Sequence, residues 1–421
     1  MQIRRVNGSE TRNYLSRYPR YRGVRSACLG IVNNTVSASL SGRSCQKYKK
    51  ATRFEIVSDV INWSKRHPTM ELTKLGWNAE LNQQFAPHHA KGLVPARVAV
   101  EDKHFFRVWT TDGELLAQVS GKCIHEARWS NSKLPKVGDW VAVKLVPNEE
   151  KAVIQAILPR RTQLSRKMTG HGATEQILAT NIDTAFLVTA ADMSFDTAVL
   201  EQMLVVAHES GARPVVVLNK IDLCEDLDAK LATVTGVAGG ASVLAACALT
   251  GLGVKKLSEL IKPGQTAVFI GTSGVGKSSL INRLYGEDIQ ATVEVRTNDA
   301  KGRHTTSWRE MIFLPQGGVV IDTPGMREFH IWIAREGSKQ AFPEVEVLSA
   351  RCHFRDCTHT KENKCAVLEA LAAGTLPRER YDSFLKLQLE IRYLREAEKR
   401  AAWQDRKKSS RGAQRAFRQK D

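Results

Sequence analysis

The chain has 421 residues, 42% of them hydrophobic, with 62 Lys+Arg against 44 Asp+Glu and a net charge of +18. A chain of this length suits roughly two to four domains with sizeable cores, and no apolar run nears the ~20 residues of a membrane span, so no membrane association is expected. Eight cysteines are too few for a disulfide-built secreted domain and no secretory signal pattern is evident, so a reducing, cytoplasmic setting is expected.

The charge sits at the ends. Residues 1–69 hold 14 Lys+Arg against 3 Asp+Glu, and residues 391–421 hold 11 against 4. The middle is near neutral, so a nucleic-acid partner argued from charge alone rests on the termini. Residues 1–69 are Arg- and Ser-rich and weakly patterned. Three readings stay open for this basic extension: an upstream start codon ahead of Met70, an RNA-binding arm, or an organellar transit peptide.

Organised sequence begins in a lead-in, residues 70–90, with "LTKLGWN". Residues 91–165 then alternate apolar and polar positions in short runs separated by turn residues. "TTDGE" places Asp112-Gly113 between two such runs, a hairpin signal. "PKVGDWV" turns into another strand. About five strands in ~70 residues suggest an OB-type β-barrel, a fold that often binds oligonucleotides; a barrel with no ligand is the plainer alternative. "PRRTQLSRKM" reads as a basic hinge.

From residue 166 to 345 the pattern becomes strand–helix alternation. "IDTAFLVTAA", "ARPVVVLNKIDL", "ASVLAACAL", "GQTAVFIG" and "GVVIDTPG" read as strands, and "DTAVLEQMLVVAHESG" as an amphipathic helix ending at Gly211. Continuous apolar strands between helices predict a parallel sheet covered on both faces.

Three motifs in this segment point to GTP. Gly271-Thr272-Ser273-Gly274-Val275-Gly276-Lys277-Ser278, followed by Ser279, matches the P-loop pattern between a strand and a helix. Its backbone N–H groups would cradle phosphates, Lys277 would meet the β/γ-phosphates, and Ser278 would ligate Mg²⁺. Asp322-Thr-Pro-Gly325 follows an apolar strand. Asp322 would hold Mg²⁺ through water, and the Gly325 N–H would touch the γ-phosphate. Asn219-Lys220-Ile-Asp222 is the guanine reader. The Asp222 carboxylate accepts from guanine N1–H and the exocyclic amine, a donor pair adenine lacks. Lys220 would lie over the base, and "ACALTG" would offer a backbone N–H to guanine O6.

The order is unusual. The base reader precedes the P-loop by about fifty residues, whereas ordinary GTPases place the P-loop first. A circular permutation explains it: the strands keep their places in space while the chain ends move. Between the P-loop and Asp322, "NDAKGRHTTSW" is placed as the first switch, where Thr305 or Thr306 would complete Mg²⁺ coordination. Met326 stands where many GTPases carry the Gln that orients the attacking water. His304 is the nearest replacement in the switch, with mere packing or solvent exposure as its alternative.

Residues 346–421 hold "CHFRDCTHTKENKC". Three thiolates and an imidazole, Cys352, Cys357, His359 and Cys365, suit one tetrahedral structural Zn²⁺; His353 is a competing ligand. Helical sequence follows, with the last ~20 residues read as a basic, disordered tail.

Taken together, "LGWN", "VGDWV", "NKIDL", "GTSGVGKSSLIN", "GRHTT", "DTPGMRE" and "CHFRDCTHTKENKC" closely resemble the bacterial ribosome small subunit-dependent GTPase A family, from about Met70 to about residue 400. The resemblance implies an OB barrel, a permuted GTPase domain and a C-terminal zinc domain; a monomer is expected. It implies GTP hydrolysis stimulated by the small ribosomal subunit late in its maturation, with contacts to its rRNA and release coupled to turnover. It also implies that His304 is catalytic and that Cys352, Cys357, His359 and Cys365 hold zinc. Cys247 stands where the family carries Ser, and residues 1–69 inherit nothing from the family. The rival from another class is a guanine-nucleotide-regulated RNA-binding scaffold with little turnover, which Met326 keeps open.

Overall fold

The alternating runs between residues 94 and 157 fold into five strands, β1 (Val94–Glu101), β2 (Phe106–Thr110), β3 (Gly113–Val119), β4 (Trp140–Leu145) and β5 (Lys151–Ile157). In the computed structural model, which describes residues 27–32, 35–40, 71–102, 105–127, 134–167, 175–193, 195–289, 309–323 and 337–418, they pair in the order β1-β2-β3-β5-β4. Pairing of β4 back onto β1 closes the barrel. All neighbours are antiparallel except β3 and β5, which run parallel. A short helix, α1 (Gly121–Glu126), bridges β3 and β4. Inward positions Ala96, Val98, Val108, Ala117, Val141, Val143 and Ile154 fill the interior.

The chain divides into two units, Met1–Pro68 and Thr69–Asp421. The described part of the first is an antiparallel hairpin, Ala27–Val32 with Thr35–Leu40.

Six strands form the α/β sheet: β6 (Thr184–Ala190), β7 (Arg213–Asn219), β8 (Ser242–Ala245), β9 (Thr266–Ile270), β10 (Glu310–Phe313) and β11 (Val319–Asp322). Their order is β8-β7-β6-β9-β11-β10, all parallel except β10. Strands β6 to β8 step outward to one edge. The chain then returns to the other side of β6 to lay down β9. That reversal is a topological switch point, where open α/β sheets bind ligands at the strands' carboxyl ends.

The sheet residues alternate between two cores. Leu187, Val216, Leu218, Val268, Ile270 and Ile321 face α2 (Thr197–Ser210) and the C-terminal helices. Phe186, Val188, Val217, Phe269 and Val320 face α4 (Val254–Glu259) and α5 (Lys277–Tyr285). Between these helices in sequence, α3 (Leu227–Val237) is capped by Asp226, whose carboxylate accepts from the Ala229 N–H at 3.0 Å. Double-sided burial is why these strands read as unbroken apolar runs.

The sequence "PRRTQLSRKM", read as a hinge, instead contains a strand, Gln163–Lys167, paired antiparallel with Glu175–Thr180. Its alternation is short and polar on one side, so pairing comes from a partner that local pattern does not reveal. The barrel joins the sheet through a bridge between β1 and β10 at Val100 and Glu310.

A buried arginine ties the lead-in to both bodies. Arg97 on β1 is 1% exposed. It donates from Nη1 to the Leu75 carbonyl, from Nη2 to Asn181 O at 3.2 Å and from Nε to Gly138 O at 3.3 Å. Its guanidinium lies over Trp140, 5.3 Å from the ring centroid. Burial pulls its pKa down to about 10, with Asp183 opposing, so it stays charged at neutral pH. The "VGDWV" motif supplies the tight turn. Gly138 has φ +95°, and a Cβ there would meet Thr180 O at 2.2 Å. Fully buried Asp139 accepts both Nε and Nη2 of Arg160 at 2.8 Å, a fork-shaped pair suited to burial.

The C-terminal part comprises α6 (Gly337–Ala341), α7 (Pro343–Ser349), α8 (Ala366–Ala372) and α9 (Arg378–Arg418). Helix α9 continues through most of the stretch read as a disordered tail. That stretch lacks Pro and its charged residues are good helix formers. Arg380 anchors α9 with donors to Glu201 at 2.7 Å, Glu344 at 2.5 Å and the Ala341 carbonyl at 2.6 Å. No described helix is long and apolar enough to cross a membrane.

Candidate functional site

Both nucleotide motifs lie at the carboxyl end of the sheet. The P-loop leaves β9 and enters α5 at Lys277. Two of its glycines are required by space. A Cβ on Gly271 would sit 2.5 Å from Val188 O, and one on Gly276, at φ +94°, would sit 2.3 Å from Asn219 Nδ2. Val275 is buried, and Thr272, Ser273, Gly274, Ser278 and Ser279 follow the loop into the first turn of the helix.

Asn219, at the end of β7, joins the loops. Its Nδ2 donates to Val275 O at 2.8 Å, and its Oδ1 accepts from the Ala248 N–H at 3.1 Å. The side chain thus spans from the phosphate cradle to the "ACALTG" loop. That loop's Ala248 N–H, one of the groups expected for guanine O6, is spent on Asn219. Lys220 sits in the left-handed region at φ +58° and reaches Asp192 at 3.0 Å. Asp222 follows within a short 3₁₀ turn, Ile221–Leu223, and is exposed to the cleft. Its Oδ1 accepts the Cys247 thiol at 2.9 Å, and Cys247 Sγ in turn accepts the Thr250 N–H at 3.4 Å. Cys247 therefore orients the carboxylate that would read the base.

Asn219, Lys220, Asp222, Gly276 and Ser279 line one cleft of about 630 Å³ with Arg283. Nothing in the sequence pattern singled out Arg283. It donates from Nε to Ala248 O at 2.8 Å and from Nη2 to Leu249 O at 2.6 Å, bracing the base loop from α5. Finding it needs the long-range pairing, not a motif.

Replacing Asp222 with Asn puts an N–H donor where guanine also presents donors. GTP affinity is expected to fall about 100-fold or more, while xanthosine triphosphate, with an acceptor at C2, gains. Competition between the two nucleotides against a fluorescent GDP checks this; unchanged preference contradicts it.

Lys277 is 7% exposed, and its ammonium donates to Gly271 O at 3.0 Å and Thr272 O at 2.9 Å. Burial pushes its pKa down to about 8, with Asp322 opposing. Asp322, at the end of β11, is pushed up to about 6 by burial, with Lys277 opposing. The protonated lysine is the form that attracts phosphate. Affinity for GDP is therefore expected to be level between about pH 6.5 and pH 8, then to fall by up to about tenfold per unit above pH 8. A titration series that stays flat to about pH 9.5 contradicts this.

Asp322 and the Ser278 hydroxyl are hard oxygen donors, the kind Mg²⁺ takes. His304, Thr305, Thr306, Gly325 and Met326 lie outside the described residues.

A second cluster forms between α7 and α8. One ligand atom from each of Cys352, Cys357, His359 and Cys365 lies within 4.8 Å of all the others. The Cys352–Cys365 sulfurs are 3.8 Å apart, and His359 Nδ1 lies 3.6 Å from Cys352 Sγ and 3.4 Å from Cys365 Sγ. Zinc–thiolate bonds of about 2.3 Å put tetrahedral sulfur neighbours about 3.8 Å apart, so the spacing fits such an ion. With Nδ1 aimed at the thiols, Nε2–H points to Ser349 Oγ at 3.0 Å, and the Ser349 hydroxyl donates to Val345 O at 2.7 Å. That outer pairing selects the tautomer a metal needs. The Tyr381 hydroxyl donates to the His359 carbonyl at 2.7 Å and ties the loop to α9. His353 is exposed and packs edge-on against Phe354, and is not among the four converging ligands.

Residues 157–332 match the model of the RsgA GTPase family. The chain is 44% identical over 333 residues to the small ribosomal subunit biogenesis GTPase RsgA of Opitutus terrae, covering 77% of this chain and 90% of that one. It is 40% identical over 319 residues to the protein of the same name from Methanosarcina acetivorans, covering 76% and 85%. Among solved structures it is similar to YjeQ from Thermotoga maritima, at 28% identity and a TM-score of 0.54, covering 71% of this chain and 98% of that one. It is also similar to YloQ, described as a circularly permuted GTPase, at 25% identity and a TM-score of 0.52, covering 72% and 97%.

Proposed function

The chain belongs to the RsgA GTPase family, and on that premise we propose that it hydrolyses GTP while bound to the small ribosomal subunit, in the subunit's biogenesis. The observation that carries this is the single cleft shared by Asn219, Lys220, Asp222 and the P-loop helix at the sheet's switch point, together with the 90% coverage of a relative named for that role.

On this reading residues 91–165 form an OB-type barrel, 166–345 the permuted GTPase domain and 346–421 a zinc-binding domain. The strand order of the closed barrel, with its one parallel pair and its helix between β3 and β4, supports the OB assignment. Cys352, Cys357, His359 and Cys365 would hold one structural Zn²⁺. Ser278, Asp322 and one of Thr305 or Thr306 would hold Mg²⁺, which supplies positive charge to the β/γ-phosphates. The chain's own residues bind and orient. The P-loop backbone and Lys277 hold the phosphates, Asp222 reads guanine, and Gly325 touches the γ-phosphate. The barrel and the basic C-terminal end meet rRNA, and the protein works as a cytoplasmic monomer.

Met326 cannot orient an attacking water, so His304 takes that task in the first switch. His304→Ala is expected to lower subunit-stimulated turnover about 100-fold while leaving GTP affinity unchanged. Single-turnover rates beside equilibrium GDP titrations check it. Full stimulated turnover in the variant assigns the role elsewhere. The wider reading is tested by sedimenting the protein with purified small and large subunits in GDP and in a non-hydrolysable GTP analogue. Co-sedimentation with the small subunit, stronger with the analogue, is expected; equal binding to both subunits contradicts it.

A further inference from the structure

The loop beside Asp222, residues 247–252, spends nearly all of its amides within the protein. The Cys247 N–H donates to Leu252 O at 2.9 Å and the Gly251 N–H to Cys247 O at 2.8 Å. The Thr250 N–H meets Cys247 Sγ, the Leu252 N–H meets Thr250 Oγ1 at 3.4 Å, and the Ala248 N–H meets Asn219. The Leu249 N–H is the exception: among the described residues it has no acceptor. Backbone donors are seldom left without a partner, and Leu249 lines the nucleotide cleft.

The other end of that same peptide group is held from α5. Arg283 donates from Nε to Ala248 O at 2.8 Å and from Nη2 to Leu249 O at 2.6 Å. The Ala248 carbonyl and the Leu249 N–H belong to one planar trans peptide group, so they point in opposite directions. Fixing the carbonyl therefore aims the N–H. The Leu249 side chain is 74% exposed and gives the loop no anchor in the core, which leaves the aim to the guanidinium. A charged donor on the carbonyl also polarises the peptide group and strengthens its N–H as a donor.

We propose that the Leu249 N–H is the donor to guanine O6 and that Arg283 is the positioning residue that aims it, so that Arg283 sets the preference for a purine with oxygen at position 6. The inference rests on the guanine reading of the cleft and needs nothing from the ribosome. Recognition of the base then divides in two. Asp222 faces the N1–H and the 2-amine, and the Leu249 N–H faces position 6. Adenine carries an amine at that position, so donor would meet donor and the amide would go unpaired. Arg283 lies on the helix that the P-loop opens, which ties the position-6 donor to the phosphate cradle.

The test measures the affinity of the full chain for GDP, IDP and 6-thio-GDP, by displacement of a fluorescent GDP, for the wild type, Arg283→Gln and Arg283→Lys. 6-Thio-GDP differs from GDP only at position 6, where sulfur is a poor acceptor. IDP lacks only the 2-amine that Asp222 reads. The wild type is expected to prefer GDP to 6-thio-GDP by about tenfold. The glutamine variant is expected to bind GDP about tenfold more weakly and to lose most of that preference, while its preference for GDP over IDP stays within about twofold of the wild type. The lysine variant keeps the charge and one donor at a time, and should recover part of both losses. Arg283 is exposed, so folding should persist, and thermal melts check it. An equal loss for all three diphosphates would mark Arg283 as a mere brace of the loop and overturns the proposal. So does a 6-thio-GDP preference that is absent from the wild type or intact in the glutamine variant. Wild-type affinity for ADP reads the guanine assignment separately: ADP bound as tightly as GDP would remove that reading, whichever way the Arg283 variants behave.

Discussion

Lys277→Ala is expected to lower kcat/KM for GTP by about 1,000-fold and to weaken GDP binding at least tenfold. Two effects combine. The ammonium is held 3.0 Å from Gly271 O and 2.9 Å from Thr272 O, so its charge is aimed before any phosphate arrives. Preorganised charge in a water-poor site is worth far more than the same charge in solvent, and removal of one such donor costs about 100- to 1,000-fold in rate. The lysine also holds the carbonyls of its own loop, so its loss frees the cradle. The buried position has a second consequence. Burial holds the Lys277 pKa near 8, which means the folded chain disfavours the charge it needs. Removing that ammonium relieves this cost, while the Gly271 and Thr272 carbonyls lose their donor, so the two effects oppose and the net change in stability should be small beside the loss of activity. Thermal melts without nucleotide, set beside turnover and GDP titrations, separate the two effects. Turnover within tenfold of wild type would remove Lys277 from the phosphate site.

Cys365→Ser, or exhaustive chelation, is expected to have the largest effect on stability. Cys365 is 2% exposed, caps the start of α8 and lies 3.8 Å from Cys352. One zinc ion per chain should fall to nearly none. Structural zinc commonly supplies on the order of 10 kcal/mol of folding free energy, here beside the apolar contacts of Phe342, Val345 and Val367. The Tyr381 bond to His359 and the Ser349 bond to its ring would lose their fixed partner. The C-terminal helices should then unfold in an early transition, seen as lost helical circular dichroism below the main melt. GDP binding should survive, because the cleft takes no residue from this region. Elemental analysis with a full-length melt checks both parts. A metal-free protein with one unshifted transition would contradict a structural ion.

These expectations divide along what local sequence can express. The P-loop, Asp222 and the four metal ligands are legible because each needs particular residue types at short spacing. Glycines at 271 and 276 are imposed by neighbouring backbone and by Asn219, and that constraint leaves a visible pattern. The parallel strands are legible because burial on both faces removes polar residues from them. The permutation is legible from motif order, and the strand order β8-β7-β6-β9-β11-β10 shows how it keeps the site intact.

What escaped the sequence is long-range. Arg97 looks like an ordinary strand residue, yet its three acceptors come from residues 75, 138 and 181. The Gln163–Lys167 strand depends on a partner at Glu175–Thr180, and its own pattern resembles a polar linker. Arg283 braces the base loop from 35 residues away. Cys247 was read only as a departure from the family's Ser, and its thiol bond to Asp222 went unseen. In each case the informative contact joins distant segments, where composition and periodicity are silent.

The central claim is that the small ribosomal subunit stimulates GTP hydrolysis by this chain. The most direct measurement is steady-state phosphate release by the full-length protein alone, with small subunits and with large subunits. The account predicts a saturable rise of at least tenfold with small subunits only. Turnover that stays at its basal level, despite GTP-dependent binding to the subunit, would contradict it and leave a guanine-nucleotide-regulated RNA-binding scaffold.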